Sequence, residues 1–592
     1  MRFLTDLEAH LRRKFPGYPA EDVLSLEACP AGQDGDFTLN CFRIGKFCGN
    51  PAAAAQTAAD FLAGHPDVER VSVVKAFVNL TLTPAVLHGV TAADPRALLA
   101  RCELPAAQRR RVLIEFSAPN TNKPQHLGHV RNNTLGMALG ALLKRVGHDV
   151  IEINLVNDRG IHICKSMLCY QRTGNGRTPE NTGIKGDHLV GDFYVEYNRM
   201  LAAEIGELKA ARPELADRDS EELFLETEIG RATQKMLQDW EAGVPEVRDL
   251  WKTMNAWVFA GFDATYKRMG IKFDHTYLES ETYLLGKDII SAGLERGVFA
   301  RREDGAVICD LGKLGKKVVL RSDGTSVYIT QDIGTTKRKY DDYHPETMIW
   351  VVGDEQNLHF QMLFEIMRRL GFEWAKDLYH LSYGMVNLPN GRMKSREGTV
   401  VDADDLFDEM AELARNACAE RADGSLTEAE LARRGEIIGL GALKFMLLKF
   451  NPKTTITFDP AASVRFEGDT GPYVQYVAAR IASIERKAEA KGVKSDAVNW
   501  SRLDHALERE LAVKLYFYPE VMRAAAAKRD CSGLVEYLLE LAKAFNRFYR
   551  DCPVLGAADA ELAAARLALA DAVKQVVTDG LRTLTIGVPE AM

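Results

Sequence analysis

The 592-residue chain reads as a multidomain α/β protein: a doubly wound parallel sheet, preceded by an α+β segment and followed by an all-helical bundle. Three observations predict this. The run Arg111–Gly140 passes from a buried strand through a polar loop into a helix, and Asp149–Val156 then reads as a second strand, closing a β-α-β unit. The same alternation returns as a strand at Met348–Val352, a helix at Gln356–Leu370 and a strand at Leu381–Leu388. From Asp402 onward the pattern is almost wholly helical and rich in Ala and Leu, with Gly and Pro confined to helix ends.

In chain order, residues 1–105 form a first domain. It has a leading amphipathic helix, strands at Phe37–Phe42 and Arg70–Thr83, and an Ala-rich helix after Pro51. The alternation Val71, Val73, Lys75, Phe77, Asn79 predicts a half-buried sheet. Residues 106–390 carry the parallel sheet, interrupted at about 160–280 by a charged, mostly helical insertion with few chemistry-bearing residues, which reads as a connective element. Residues 391–460 hold a Gly-flanked basic loop and helices, and 461–592 the terminal bundle.

A chain this long, 46% hydrophobic, supports several packed cores. No apolar run approaches bilayer length and the first residues do not read as an export signal, so a cytoplasmic protein without membrane contact is expected. Ten cysteines lie scattered without paired spacing, as suits a reducing compartment. The net charge of −8 argues mildly against a nucleic-acid partner, although binding depends on local potential.

Chemistry concentrates where the helix after the first strand begins. His126 and His129 share one face of its first turn, where unpaired backbone N–H groups and the positive dipole end favour an anion. Gly128 removes a side chain that would hold a phosphate or adenine ring at a distance. Zinc is disfavoured: the pair is spaced i, i+3 with no adjacent Glu and no Cys or His cluster at ligand spacing.

The string Glu115-Phe-Ser-Ala-Pro-Asn120-Thr-Asn-Lys123-Pro-Gln-His126-Leu-Gly-His129 contains a "HIGH"-type signature and, as a whole, resembles the arginyl-tRNA synthetases of class I. The resemblance continues through GDHLVGDFYV from Gly186, SDGTSVYITQDIG from Ser322, VVGDEQNLHFQ from Val351, GRMKSREGT from Gly391 and DTGPYVQYVAARI from Asp469, so it covers nearly the whole chain. It implies a Rossmann-type catalytic domain, ATP as a substrate taken with Mg2+, L-arginine and arginine tRNA as partners, and a monomeric enzyme. Both imidazoles then contact ATP phosphates.

In the second signature loop, alignment of Gly398-Thr399 with the end of a KMSKxxGT pattern puts Arg392 at the first lysine, Lys394 at the serine and Ser395 at the second lysine. The resemblance implies that Lys123 replaces the missing cation; Lys394, with Arg396 beside it, is the alternative. For arginine the resemblance supplies Glu115, Asn120, Tyr328, Asp332 and Gln356. A guanidinium offers five donors in fixed geometry, so its selection needs a fork of acceptors. Asp332 is read as facing the guanidinium, Tyr328 as packing on the side chain, Asn120 and Gln356 as holding the α-amino and carboxylate end, and Glu115 as open to either end. The first domain is implied to meet the tRNA elbow, with Phe77 and Asn79 as base contacts, and the bundle to grip the anticodon, with Tyr473, Tyr476 and Met592 contributing.

Two other classes compete. A cysteine or methionine ligase of the same superfamily would want a thiol or thioether pocket, often with zinc, and a non-catalytic RNA-binding relative would have no use for cations aimed at phosphates. The acid pair Glu115 and Asp332 disfavours the first, and intact Lys123, His126, Gly128 and His129 disfavour the second.

Overall fold

The computed structural model describes residues 1–19, 24–30, 32–389, 401–422, 426–493 and 498–591. Lys394, Arg396 and Met592 lie outside them. The chain forms two compact units, one of residues 1–104, 414–445 and 464–592, the other of residues 105–413 and 446–463.

In the first unit, β1 (Leu26–Ala28), β2 (Phe37–Asn40), β3 (Val68–Val74) and β4 (Phe77–Leu82) make an antiparallel sheet of order β1-β2-β4-β3. The run expected as one strand, Arg70–Thr83, is a hairpin. Lys75 takes the left-handed conformation (φ 59°), reversing the chain between β3 and β4. The leading helix Arg2–Lys14 places Phe3, Leu7 and Leu11 in the core beneath this sheet. That core is completed from the helical bundle by Ala512, Tyr516 and Phe517, and Arg509 of the bundle donates from Nε and a terminal nitrogen to the two carboxylate oxygens of Asp36. A fork on a carboxylate fixes direction as well as charge.

The second unit is built on five parallel strands in the order β12-β11-β5-β6-β7: β5 (Arg111–Glu115), β6 (Asp149–Val156), β7 (His275–Leu278), β11 (Thr347–Gly353) and β12 (Leu378–Tyr383). Val112, Leu113 and Ile114 of β5 are buried on both faces, as a central parallel strand requires. A small antiparallel sheet of β8 (Ala300–Arg301), β9 (Val307–Asp310) and β10 (Lys316–Leu320) precedes the helix Tyr328–Tyr343. A two-stranded parallel pair joins β13 (Val386–Asn387) to β14 (Ile456–Thr457), a strand within the region expected to be helical.

After β5 the chain crosses to β6 on one side, and the second half is added on the other. Strand order therefore reverses at β5 and β11, and the crevice beyond their carboxyl ends is where ligands of such sheets bind. Asn132, on the helix Leu127–Arg145, ties this crevice together: its carbonyl accepts from Ser117 N–H at 2.7 Å while its amide donates to Val351 C=O at 2.7 Å and Tyr383 Oη at 3.1 Å. Three strand ends thus share one side chain.

Candidate active site

The histidine turn is built from backbone hydrogen bonds. His126 caps the helix Leu127–Arg145; its Nδ1 accepts from Gly128 N–H at 3.1 Å, and His129 Nδ1 accepts from His126 N–H at 3.2 Å. Since both Nδ1 atoms accept, both neutral rings carry their proton on Nε2. Burial, with the Lys123 ammonium, pushes His126 down to about 4 and His129 well below its usual range. At neutral pH the turn therefore offers two uncharged N–H donors 4.0 Å apart, measured between ring centroids, at the positive end of a helix. Gly128 serves this arrangement differently from the expectation: a Cβ there would stand 2.9 Å from Cε1 of His126, so the glycine lets that ring fold back over the helix start.

Lys123 lies in the same loop, half-buried, and burial lowers the pKa of its ammonium. Val401 lies directly against the histidines. Leu127 N–H donates to Val401 C=O at 3.1 Å and Ala403 N–H to Gln125 C=O at 3.0 Å. Where Lys394 and Arg396 lie relative to this point is outside the described residues.

On the other side of the crevice the groups are acidic. Asp332, on the helix Tyr328–Tyr343, accepts from His359 Nε2 at 2.7 Å. Its near neighbours in sequence do not compete for it: Lys337 pairs with Asp341 and Arg338 with Asp342, each one turn away along the same helix. Tyr328 opens that helix with its side chain almost fully exposed, at 78%. Gln356, just ahead of the helix Asn357–Arg369, is exposed, and Asn120 is half-buried where its loop bridges to Asn157 beyond β6. Glu115, by contrast, is buried at the end of β5 and ion-paired with the buried Lys339, whose ammonium lies over the Trp350 and Tyr277 rings. Its charge is already met inside the protein, so an arginine reaching it would have to displace or share a lysine.

Glu279 is a carboxylate that the sequence reading missed. It follows β7 immediately, and its neighbour Ser280 is held by the buried Asp158, which accepts from Ser280 N–H at 2.8 Å and Oγ at 2.6 Å. Burial, with the negative charges of Asp158 and Asp332 against the positive charge of Arg159, pushes Glu279 up to about 7. The insertion expected to hold little chemistry is thus bounded by Asp158 and Glu279. Nothing in its charged composition separated that carboxylate from the others around it. His359 was missed although it lies inside a quoted motif.

Other expectations fall differently. Asn79 lies on the face of β4 opposite the core residues Val78 and Leu80, covered by a loop whose Gln33 Oε1 accepts from its amide at 2.8 Å, and Phe77 on the same face packs edge-on with the exposed Phe42. In the bundle, Tyr476 and Tyr549 flank Arg480, whose guanidinium carbon lies 4.4 and 4.8 Å from their ring centroids. These three, with Arg486, Lys487 and Ala591, line a cavity of about 710 Å³. Tyr473 is half-buried on the same helix, Gly471–Ala490, and does not line it. No helix among the described residues is long and apolar enough to cross a membrane.

Fold and crevice together have the layout of a class I tRNA synthetase. A family profile described as the catalytic domain of tRNA synthetases class I (R) matches residues 95–459, and one described as the DALR anticodon binding domain matches residues 474–592. Arginine–tRNA ligases of Porphyromonas gingivalis and Bacteroides fragilis are each 44% identical to this chain, covering 97% of it and 96% of their own length. The arginyl-tRNA synthetase structure of Thermus thermophilus superposes with a TM-score of 0.76 at 26% identity, covering all of both chains. The chain belongs to the arginyl family of class I tRNA synthetases.

Proposed function

We propose that this chain joins L-arginine to arginine tRNA at the expense of ATP, through an arginyl-adenylate, as a cytoplasmic monomer. The carboxylate oxygen of arginine attacks the α-phosphorus of ATP and pyrophosphate leaves; a hydroxyl of the terminal ribose of tRNA then attacks the activated carbonyl and AMP leaves. The observation that carries this reading is the pairing of unlike sites in one crevice, neutral imidazole donors at one strand end and carboxylates at the others.

Activation adds negative charge around phosphorus, so the protein acts chiefly by positioning and by aiming donors at that charge. His126 and His129 donate from Nε2, and Lys123 supplies the cation. Magnesium enters with ATP as its counterion. Asp332 faces the guanidinium, with Glu279 as the second acceptor that a planar fork requires. Tyr328 closes over the side chain, and Asn120 and Gln356 hold the α-amino and carboxylate end. Glu115, neutralised by Lys339, shapes the floor. The cavity beside Tyr476 suits splayed anticodon bases, which stack on aromatic rings and guanidinium planes.

ATP–pyrophosphate exchange, run with each amino acid in the presence and absence of total tRNA, tests the reading. Exchange with arginine, and with arginine alone, is the expected result. Exchange driven by another amino acid, or by none, overturns it.

A further inference from the structure

The segment Lys185-Gly-Asp-His-Leu-Val-Gly191 opens the long helix Gly186–Ala211 of the insertion, and nothing in the chemistry above uses it. Its charged groups converge on one carboxylate. Asp404 Oδ2 accepts from Lys185 Nζ at 2.6 Å and His188 Nε2 at 3.1 Å, and its Oδ1 accepts from Thr265 Oγ at 3.2 Å. Lys185 also donates to Thr265 Oγ at 2.6 Å and to the fully buried Asp187 at 3.1 Å. Among the described residues, Asp187, His188 and Asp404 are the acid and imidazole groups at metal-ligand spacing, and the lysine ammonium supplies the positive charge between the two carboxylates.

Asp404 is the second residue of the helix Ala403–Ala419, and Asp402 Oδ1 accepts from Asp404 N–H at 2.8 Å. The residues just ahead, Val401–Ala403, run antiparallel to Gln125–Leu127 through the two backbone hydrogen bonds described above, with Asp402 bridged to His126. The same insertion helix meets this loop a second time. A Cβ on Gly191 would stand 2.7 Å from Cδ of Pro124 and 3.6 Å from Cα of Lys123, so only a glycine lets Lys123-Pro124 lie against the helix.

We propose that Lys185, His188 and Gly191 are positioning residues for the phosphate site: they hold Asp404, and through it Val401–Ala403, against one side of the histidine turn, and seat Lys123 on the other. None of them touches substrate in this reading, which rests on the assignment of Lys123, His126 and His129 to the ATP phosphates. The physical reason is tolerance. Two neutral imidazoles contribute only where their Nε2–H bonds point at the developing charge, and an error of about 1 Å costs on the order of 10²-fold in rate. A turn held by its own backbone hydrogen bonds can still move as a body, and the Asp404 brace fixes that body to the insertion.

The test is tRNA-dependent ATP–pyrophosphate exchange by the full chain carrying Lys185→Met, Lys185→Arg, His188→Gln or Gly191→Ala, with His126→Ala alongside. Lys185→Met and Gly191→Ala should lower kcat about tenfold or more, with the arginine KM held within about twofold. Lys185→Arg should recover most of the loss, because the charge on Asp404 is kept. If Lys185→Met does not fold, His188→Gln, a milder change at a partly exposed ring, carries the same expectation at about threefold to tenfold. Wild-type kcat in the variants, beside a His126→Ala enzyme that has lost turnover, overturns the brace. So does an arginine KM that rises in step with the fall in kcat. Wild-type turnover in His126→Ala overturns instead the phosphate assignment on which the brace rests.

Discussion

The two walls of the crevice are stabilised in opposite ways. The histidine turn is complete without ligand: its rings are neutral, their tautomers are set by backbone N–H groups, and the helix dipole stands ready. The acidic wall is incomplete. Burial, with the charges of Asp158 and Asp332, pushes Glu279 up to about 7 although Arg159 partly offsets it. One wall waits with donors already in place, and the other waits in a state that a guanidinium would improve. Preorganisation favours turnover, while a buried carboxyl such as Glu279 favours discrimination, since an uncharged substrate gives its charged form no new partner.

The largest expected effect tests the acidic wall. Asp332→Ala should raise the arginine KM by ~10³-fold while moving the ATP KM by no more than a few-fold, because a charged partner proposed for the guanidinium is lost on one wall alone. Equal changes in both constants would erase the contrast. His126→Ala comes next: removal of one aimed donor should lower kcat by ~10²-fold with the arginine KM nearly unchanged. A rise in the arginine KM instead would mean that the walls are not separate.

Smaller effects sharpen the comparison. Glu279, raised to about 7, is protonated below that pH and then offers a guanidinium no charge. The arginine KM should therefore fall as pH rises from 6 to 8, by ~10-fold over the range, and Glu279→Gln should flatten the profile. The same carboxyl makes the ligand-free protein less stable as pH climbs from its unfolded value, near 4.5, through about 7, because the folded state prefers the proton. Arginine should restore that loss in a thermal melt, and a ligand-free melting temperature indifferent to pH relative to Glu279→Gln would remove Glu279 from the wall. The least effect on the small-molecule site belongs to Tyr476→Ala. It should raise the tRNA KM by ~10-fold through one lost stacking surface, leaving the arginine and ATP KM values as they were at saturating tRNA.

The sequence by itself determined the parallel-sheet architecture, the histidine turn and, of the acidic wall, Asp332 alone. Buried β-runs, helical periodicity and motif spacing are local properties, and residues such as Gly128, His126 and His129 do their work within one turn of chain. Only the tertiary structure decided the rest. Glu115 and Lys339 are separated by more than two hundred residues and meet because β5 and the helix Tyr328–Tyr343 lie in one layer arrangement. Asp332 turns to His359 because another helix brings an imidazole within 2.7 Å, while the nearby Lys337 and Arg338 find aspartates one turn on. Asn79 shows the same limit in a strand: alternation puts it on the face away from Val78 and Leu80, but a loop 46 residues earlier decides that it is covered. Charges in particular escape linear reading, because the partner and the burial that set a carboxylate's state come from chain far away in sequence.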